Sequence, residues 1–300
     1  VEAFFAPCPR GLESALADEL ARLGAGAIAP AEGGVGFEGA LELACAANLE
    51  SRLASRILWR VGGGPYRDEH TLYALAKAID WKRLFTPQRT LRVDVAATRS
   101  PLTSLEFATL RVKDAVCDRF RDDVGSRPSV DKRLPDVRIS AYLTEREATL
   151  YVDTSGEPLF KRGYRRDTEE APLRENLAAG LIALTGWTPE MPLLDPMCGS
   201  GTIAIEAALI AADRAPGLAR TFGFQKLAWF DGPAWQRIKQ AARDRIKSAP
   251  GVPRIFASDR VPGAVHKAES NLRAAQVDGF VHADIADMLT REAPAGHGVL

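Results

Sequence analysis

One short stretch constrains the fold more than any other. Leu193-Leu194-Asp195 closes an apolar run with an acid, Gly199 and Gly201 follow, and Thr202 opens the apolar series Ile203-Ala204-Ile205-Glu206-Ala207-Ala208-Leu209-Ile210. These residue types dictate a strand, a tight turn and a helix. Glycine takes left-handed torsions without a side-chain clash and lets the backbone come close to a ligand, while the helix aims its first N–H groups at the same point. Such a turn is the cofactor corner of a doubly wound, Rossmann-like α/β sheet. Downstream the pattern continues as expected, with strand 191–195, helix 202–212, strand 253–257, helix 261–275, strand 279–283 and the apolar start of a strand at 298.

Three cofactors compete for a turn of this kind. A phosphate-binding P-loop carries Lys after its second glycine; Thr202 stands there, which removes that reading. Gly199-Ser200-Gly201-Thr202-Ile203-Ala204 fits a dinucleotide fingerprint with Ala in third place, but such a site expects an acid about 20 residues on, closing the second strand. The first acid after a plausible second strand is Asp259, behind Arg254-Ile255-Phe256-Ala257-Ser258. The third reading rests on a resemblance. Asp195-Pro196-Met197-Cys198-Gly199-Ser200-Gly201-Thr202 is similar to the first motif of class I methyltransferases that modify exocyclic amines of bases, enzymes that use S-adenosylmethionine.

That resemblance implies a role for each residue. Asp195 would lie near the cofactor's ammonium end, and the backbone from Pro196 and Met197 through Cys198, Gly199, Ser200 and Gly201 to Thr202 would cradle its methionyl part. Asp259, with Arg260 beside it, would meet the ribose hydroxyls, a place that suits a carboxylate because it only accepts hydrogen bonds. Asp284, at the end of Val281-His282-Ala283, would meet the adenine amino group. Each acid has an ordinary alternative: Asp259 as the cap of the turn at Val261-Pro262, Asp284 as a solvated loop residue. Arg174, Glu175 and Asn176 would edge the pocket, or simply form a helix N-terminus with Pro at its first position and an acid in its first turn. Glu206, one turn into the helix after the glycines, reads as structural.

Length and charge narrow the classes further. At 300 residues, with 46% hydrophobic content, the chain can fill about two domain cores, and no apolar run approaches the ~18 residues of a membrane span. No signal peptide is visible. Lys plus Arg equals Asp plus Glu at 39 each, so a nucleic-acid surface must be local. Cys8, Cys45, Cys117 and Cys198 are far apart, with no CxxC pair; they read as buried thiols of a reducing cytoplasm, with no metal site. The chain opens on Val1 and stops two residues into an expected strand, so a piece of a longer protein is expected.

The first half reads as α+β. A helix at 9–23 places Leu12, Ala15, Leu16, Leu20 and Leu23 on one face; strands follow near 26–29 and 35–37, then a helix near 40–50. A strand at 55–61 is expected to end at Gly62-Gly63-Gly64, followed by a helix at 69–79, a half-buried strand at 90–97, a long helix from Ser104 to Asp123, and a hairpin of 137–143 with 147–153. Residues 213–250 form a long insertion carrying Trp229, Phe230 and Trp235. The connector is most basic at Lys161, Arg162, Arg165 and Arg166 around Tyr164, suited to phosphate contacts with stacking, or to a solvated linker paired with Asp167, Glu169 and Glu170. Lys132 and Arg133, in a Pro-flanked loop, are further RNA-contact candidates.

Taken in order, Leu159-Phe-Lys-Arg-Gly-Tyr-Arg-Arg, Ala171-Pro-Leu-Arg-Glu-Asn-Leu-Ala-Ala, the glycine motif and the aromatic insertion Phe222–Trp235 resemble the RlmL-type ribosomal-RNA guanine-N2 methyltransferases along essentially the whole chain. The resemblance implies a ferredoxin-like unit at 1–50, a THUMP RNA-binding domain at 51–155, a linker at 156–170 and a partial methyltransferase domain at 171–300. It further implies large-subunit ribosomal RNA as the partner and the 2-amino group of a guanine as the acceptor. Adenine-N6 methylation, and an RNA-binding module without catalysis, are the alternatives. The sequence departs from the family in one respect. The Asn-Pro-Pro-Tyr type motif that holds the target amine in related enzymes does not occur within residues 1–300, so this stretch by itself is expected not to turn over.

Overall fold

The computed structural model describes residues 1–165 and 173–300. The strands are β1 (Glu2–Pro7), β2 (Gly26–Ala31), β3 (Gly34–Gly39), β4 (Leu58–Pro65), β5 (Leu91–Ala97), β6 (Val137–Leu143), β7 (Glu147–Asp153), β8 (Leu193–Asp195), β9 (Ile255–Asp259) and β10 (Val281–Ile285). The helices are α1 (Glu13–Arg22), α2 (Leu41–Glu50), α3 (Glu69–Ala78), α4 (Leu105–Val124), α5 (Glu175–Leu184), α6 (Thr202–Ala211), α7 (Gly232–Asp244) and α8 (Pro262–Ala275).

The first half is built on one seven-stranded sheet in the order β2-β3-β1-β4-β7-β6-β5. The two α+β units read from the sequence thus share a sheet through the β1–β4 pair, Phe4 opposite Trp59 and Phe5 opposite Leu58. β1 escaped the sequence reading: Glu2-Ala-Phe-Phe-Ala-Pro has adjacent aromatics and too few residues to show alternation. The triple glycine also behaves differently from expectation. It continues β4 past a bulge at Arg60/Gly62, with Gly62, Gly63 and Gly64 opposite Leu150, Thr149 and Ala148 of β7. At Gly63, whose φ is +149°, an added Cβ would stand 2.4 Å from the Ala148 carbonyl oxygen, so only glycine lets the strand run on there.

The second half carries parallel strands in the order β10-β9-β8, and Val299 bridges the free side of β8 at Leu193. Strand one therefore has strand two on one flank and the chain after strand three on the other. The crevice beyond its carboxyl end is the switch point where doubly wound sheets bind ligands. β9 and β10 each lie about two residues later than the sequence pattern suggested, which puts Asp259 and Asp284 inside the strand ends rather than after them.

The insertion belongs to the other half of the molecule. Phe222, Phe224, Leu227 and Trp235 join the apolar core of the seven-stranded sheet, not that of the parallel one. Phe222 and Phe224 stack at 5.4 Å, and Trp235 meets both edge-on. Backbone bonds from Gly217 to Leu49, Phe224 to Thr154 and Ala228 to Leu84 fasten the excursion. All four cysteines are buried and unpaired. Among the described residues no helix is long and apolar enough to cross a membrane, and no group of three His, Cys, Asp or Glu is placed to hold a metal.

Candidate functional site

The glycine turn is held by its own backbone and by one acid. The Cys198 N–H donates to the Ser258 carbonyl at 2.9 Å, and the Gly201 N–H to the Cys198 carbonyl at 2.7 Å. Gly199 (φ +51°) and Gly201 (φ +82°) are both left-handed, and Gly201 caps α6. A Cβ on Gly201 would lie 2.9 Å from that of Ala268 on α8, whereas Gly199 has nothing within 4 Å and leaves the turn's outer side open. Asp259 spans two turns: Oδ2 accepts the Gly199 N–H at 3.1 Å and Oδ1 the Val261 N–H at 2.9 Å. The turn-capping alternative for Asp259 is therefore present geometrically, and it holds the carboxylate beside the glycines.

Three acids converge here because β8, β9 and β10 end side by side. Burial, with the Asp259 carboxylate nearby, raises the Asp195 carboxyl to about 6, although the Met197 N–H donates to it. Cys198 is pushed to about 12 by burial first and then by Asp195, Asp259 and Asp284 together. Such a site suits a ligand that brings positive charge. An open cleft of ≈ 420 Å³ adjoins it, lined by Pro196, Met197, Asp259, Arg260, Asp287, Met288 and Leu289. Met197 and Leu289 are 67% and 85% exposed, an apolar wall left facing solvent beside the acids. Asp284 lies outside this lining and is ion-paired to Arg291, whose own amide donates to the Asp287 carbonyl. The sequence did not mark Arg291.

Several candidates sit elsewhere than expected. Asn176 is buried, and its amide donates to the Leu53 carbonyl and Ser55 Oγ, each at 3.2 Å, so it ties α5 to the first half instead of edging the cleft. Arg174 lies over the Phe160 ring at 5.2 Å. The basic connector faces inward. Arg162 is 3% exposed and donates to Glu206 at 3.3–3.4 Å and to the carbonyls of Leu159, Ser51 and Arg52. Tyr164 is 5% exposed and bonds Glu206 at 3.2 Å; burial first, then Glu206, raises its phenol well above the usual range. Neither can reach a phosphate or stack on a base from these positions, which corrects the expected RNA patch: a fully buried Glu206 needs a cation, and the connector supplies it. Arg165 pairs with Glu175. Lys161 reaches only the solvent-facing Glu157, Lys132 and Arg133 are exposed, and Arg166 lies outside the described residues.

Comparison with known proteins bears on this geometry. Residues 3–58 match the RlmL ferredoxin-like domain, 66–153 the THUMP domain and 162–296 the RMKL-like methyltransferase domain. A putative methyltransferase solved with S-adenosylhomocysteine superimposes with a TM-score of 0.89 at 30% identity, covering 99% of this chain and 78% of that one. The chain belongs to the RlmL-type THUMP methyltransferases. The ribosomal RNA large subunit methyltransferase K/L of Aeromonas salmonicida (strain A449) is 42% identical over 97% of this chain, which spans 41% of that relative's length. A structure from Listeria monocytogenes described as a predicted N6-adenine-specific DNA methylase has a TM-score of 0.89 at 29% identity, covering 98% of this chain and 77% of that one. The cofactor of this RlmL-type fold is S-adenosylmethionine, and the residues present fit it: an open glycine turn, acids placed for a cationic ligand, and an apolar cleft wall.

Proposed function

We propose that this RlmL-type chain binds S-adenosylmethionine at the glycine turn and contributes the cofactor half of an enzyme that methylates the 2-amino group of a guanine in large-subunit ribosomal RNA. The convergence of Asp195, Asp259 and Asp284 around the Cys198 turn carries the reading. Asp259 would accept from the ribose hydroxyls while keeping its bonds to Gly199 and Val261, Arg260 would border the cleft, and Asp284 would meet the adenine amino group with Arg291 steadying it. Bound there, the cofactor supplies an electrophilic methyl group. The chain's own residues orient it and shield it from water. The division at 1–50, 51–155, 156–170 and 171–300 fits this scheme, with the first two units presenting RNA and Lys132, Arg133 and Lys161 the exposed cations for phosphate contact.

The acceptor's lone pair must be aimed at the methyl group, and geometry of that kind supplies much of the rate. Residues 1–300 contain no Asn-Pro-Pro-Tyr type motif to aim it. Incubated with labelled cofactor and ribosomal RNA, a protein of these residues alone should complete less than one turnover. Several turnovers would show that other residues hold the amine. Deleting the gene in its host should remove an N2-methylguanosine from large-subunit RNA in the cytoplasm; loss of an N6-methyladenosine instead would carry the adenine alternative.

Asp195 makes the binding pH-dependent. Its carboxyl, raised to about 6, favours folding when protonated, and that contribution fades as pH rises through the folded value. A cation beside it reverses the preference. Affinity for S-adenosylhomocysteine should fall below pH 6, by up to about tenfold per unit, as the free site takes up a proton that binding must expel. Titration calorimetry across pH 5–7 checks this, and Asp195→Asn should flatten the slope.

A further inference from the structure

Arg165 is held in place with part of its guanidinium unused. Its Nε bonds Glu175 at 3.2 Å, and its Nη2 donates to the Leu173 carbonyl at 2.9 Å and to Thr202 Oγ1 at 3.1 Å. Thr202 is the first residue of α6, directly after the glycine turn. The side chain is 13% exposed, and Nη1 is buried with no hydrogen-bond partner. A guanidinium carries five donors, and leaving one buried and unmatched costs on the order of 1–3 kcal/mol. Three further observations point to what would use it. The group stands at the N-terminus of a helix of ten residues, where the first N–H groups and the dipole favour an anion. Its immediate partner Glu175 is itself buried, and burial raises that carboxyl, so the Arg165–Glu175 pair forms an oriented plus–minus couple in a poorly solvated place. Asp195, across the turn, wants positive charge.

We propose that Arg165 receives the carboxylate of the cofactor's methionyl group, with Glu175 and Thr202 fixing the guanidinium that does so. The inference rests on the assignment of S-adenosylmethionine to this turn and specifies which end of it lies toward the connector. An α-amino-acid head carries one anion and one cation. The residues around the turn offer the complement, Arg165 on the α6 side and Asp195 at the end of β8. In the sequence Arg165 stands in a basic run that invites an RNA reading; the structure directs it to the cofactor instead.

The test compares ligands that differ in that carboxylate alone. S-adenosylmethionine and decarboxylated S-adenosylmethionine share the sulfonium, amine and nucleoside, and calorimetry on the wild-type protein, Arg165→Met and Arg165→Lys reads their affinities. The wild type should prefer the carboxylate-bearing ligand by on the order of tenfold or more, as a charged hydrogen bond dictates. Arg165→Met should abolish most of that preference while leaving the affinity for the decarboxylated ligand within about threefold. Arg165→Lys should keep part of it, and it reports if the Met variant does not fold. An equal loss for both ligands would make Arg165 merely structural, and an unchanged preference would place the carboxylate elsewhere; either result overturns the proposal. A folded wild type that binds neither ligand would instead refute the cofactor assignment on which it rests.

Discussion

Replacing Glu206 by alanine should destabilise the protein by about 3–5 kcal/mol, the cost of stranding a buried cation. Glu206 is 0% exposed and Arg162 3%, and Tyr164 bonds the same carboxylate. Around them Arg162 reaches the carbonyls of Ser51 and Arg52 at the end of α2, while Arg52 reaches back to the carbonyls of Leu209 and Arg214 beyond α6. The weld joins the RNA-presenting half to the helix that carries the glycine turn. Removing the acid leaves Arg162 charged, desolvated and facing a void. Urea unfolding followed by far-ultraviolet circular dichroism measures the loss. Removing both charges with Arg162→Met and Glu206→Leu should recover much of it, because two apolar side chains need no partner. A shift below about 1 kcal/mol for Glu206→Ala would mean that water reaches the pair.

Gly201→Val should damage both fold and cofactor binding. At φ +82° a β-branched residue is strained by at least about 1–2 kcal/mol, since its Cβ crowds the carbonyl oxygen. The new Cβ would also press on Ala268, 2.9 Å away across α8, and overpacking of that kind costs about 1–3 kcal/mol more. Relief requires α6 and α8 to part or the turn to rotate, and either moves Thr202 and the Asp259–Gly199 bond together. Affinity for S-adenosylhomocysteine should drop by tenfold or more, on the order of 1.4 kcal/mol per decade. Gly251→Val is the control. That glycine has no left-handed torsion and nothing within 4 Å, so binding should be unchanged.

The two welds differ in how far the sequence revealed them. The glycine turn was legible because its chemistry is local: the strand, two glycines and an apolar helix lie within about fifteen residues, and no other backbone geometry suits that order. The 137–143 and 147–153 hairpin was legible for the same reason, its alternation being a local imprint of a half-buried sheet. The fate of the basic connector was not. A run of cations has the same appearance whether it faces phosphate or a buried acid, and its partner Glu206 stands over 40 residues away. One signal was present. A lone carboxylate in the otherwise apolar Ile203–Ile210 run has no solvated face to occupy and must find a cation indoors. Asn176 was obscured likewise, because its partners Leu53 and Ser55 belong to the other half of the chain. The aromatic insertion showed its bulk in sequence but not which of two cores it would fill.

The most direct test is titration of S-adenosylhomocysteine into the 300-residue protein, with NADH as the competing ligand and Asp259→Ala as the variant. The account predicts saturable one-to-one binding of S-adenosylhomocysteine, weakened at least tenfold by Asp259→Ala, and no saturation by NADH. A folded protein that ignores S-adenosylhomocysteine, or that saturates with NADH instead, would contradict it.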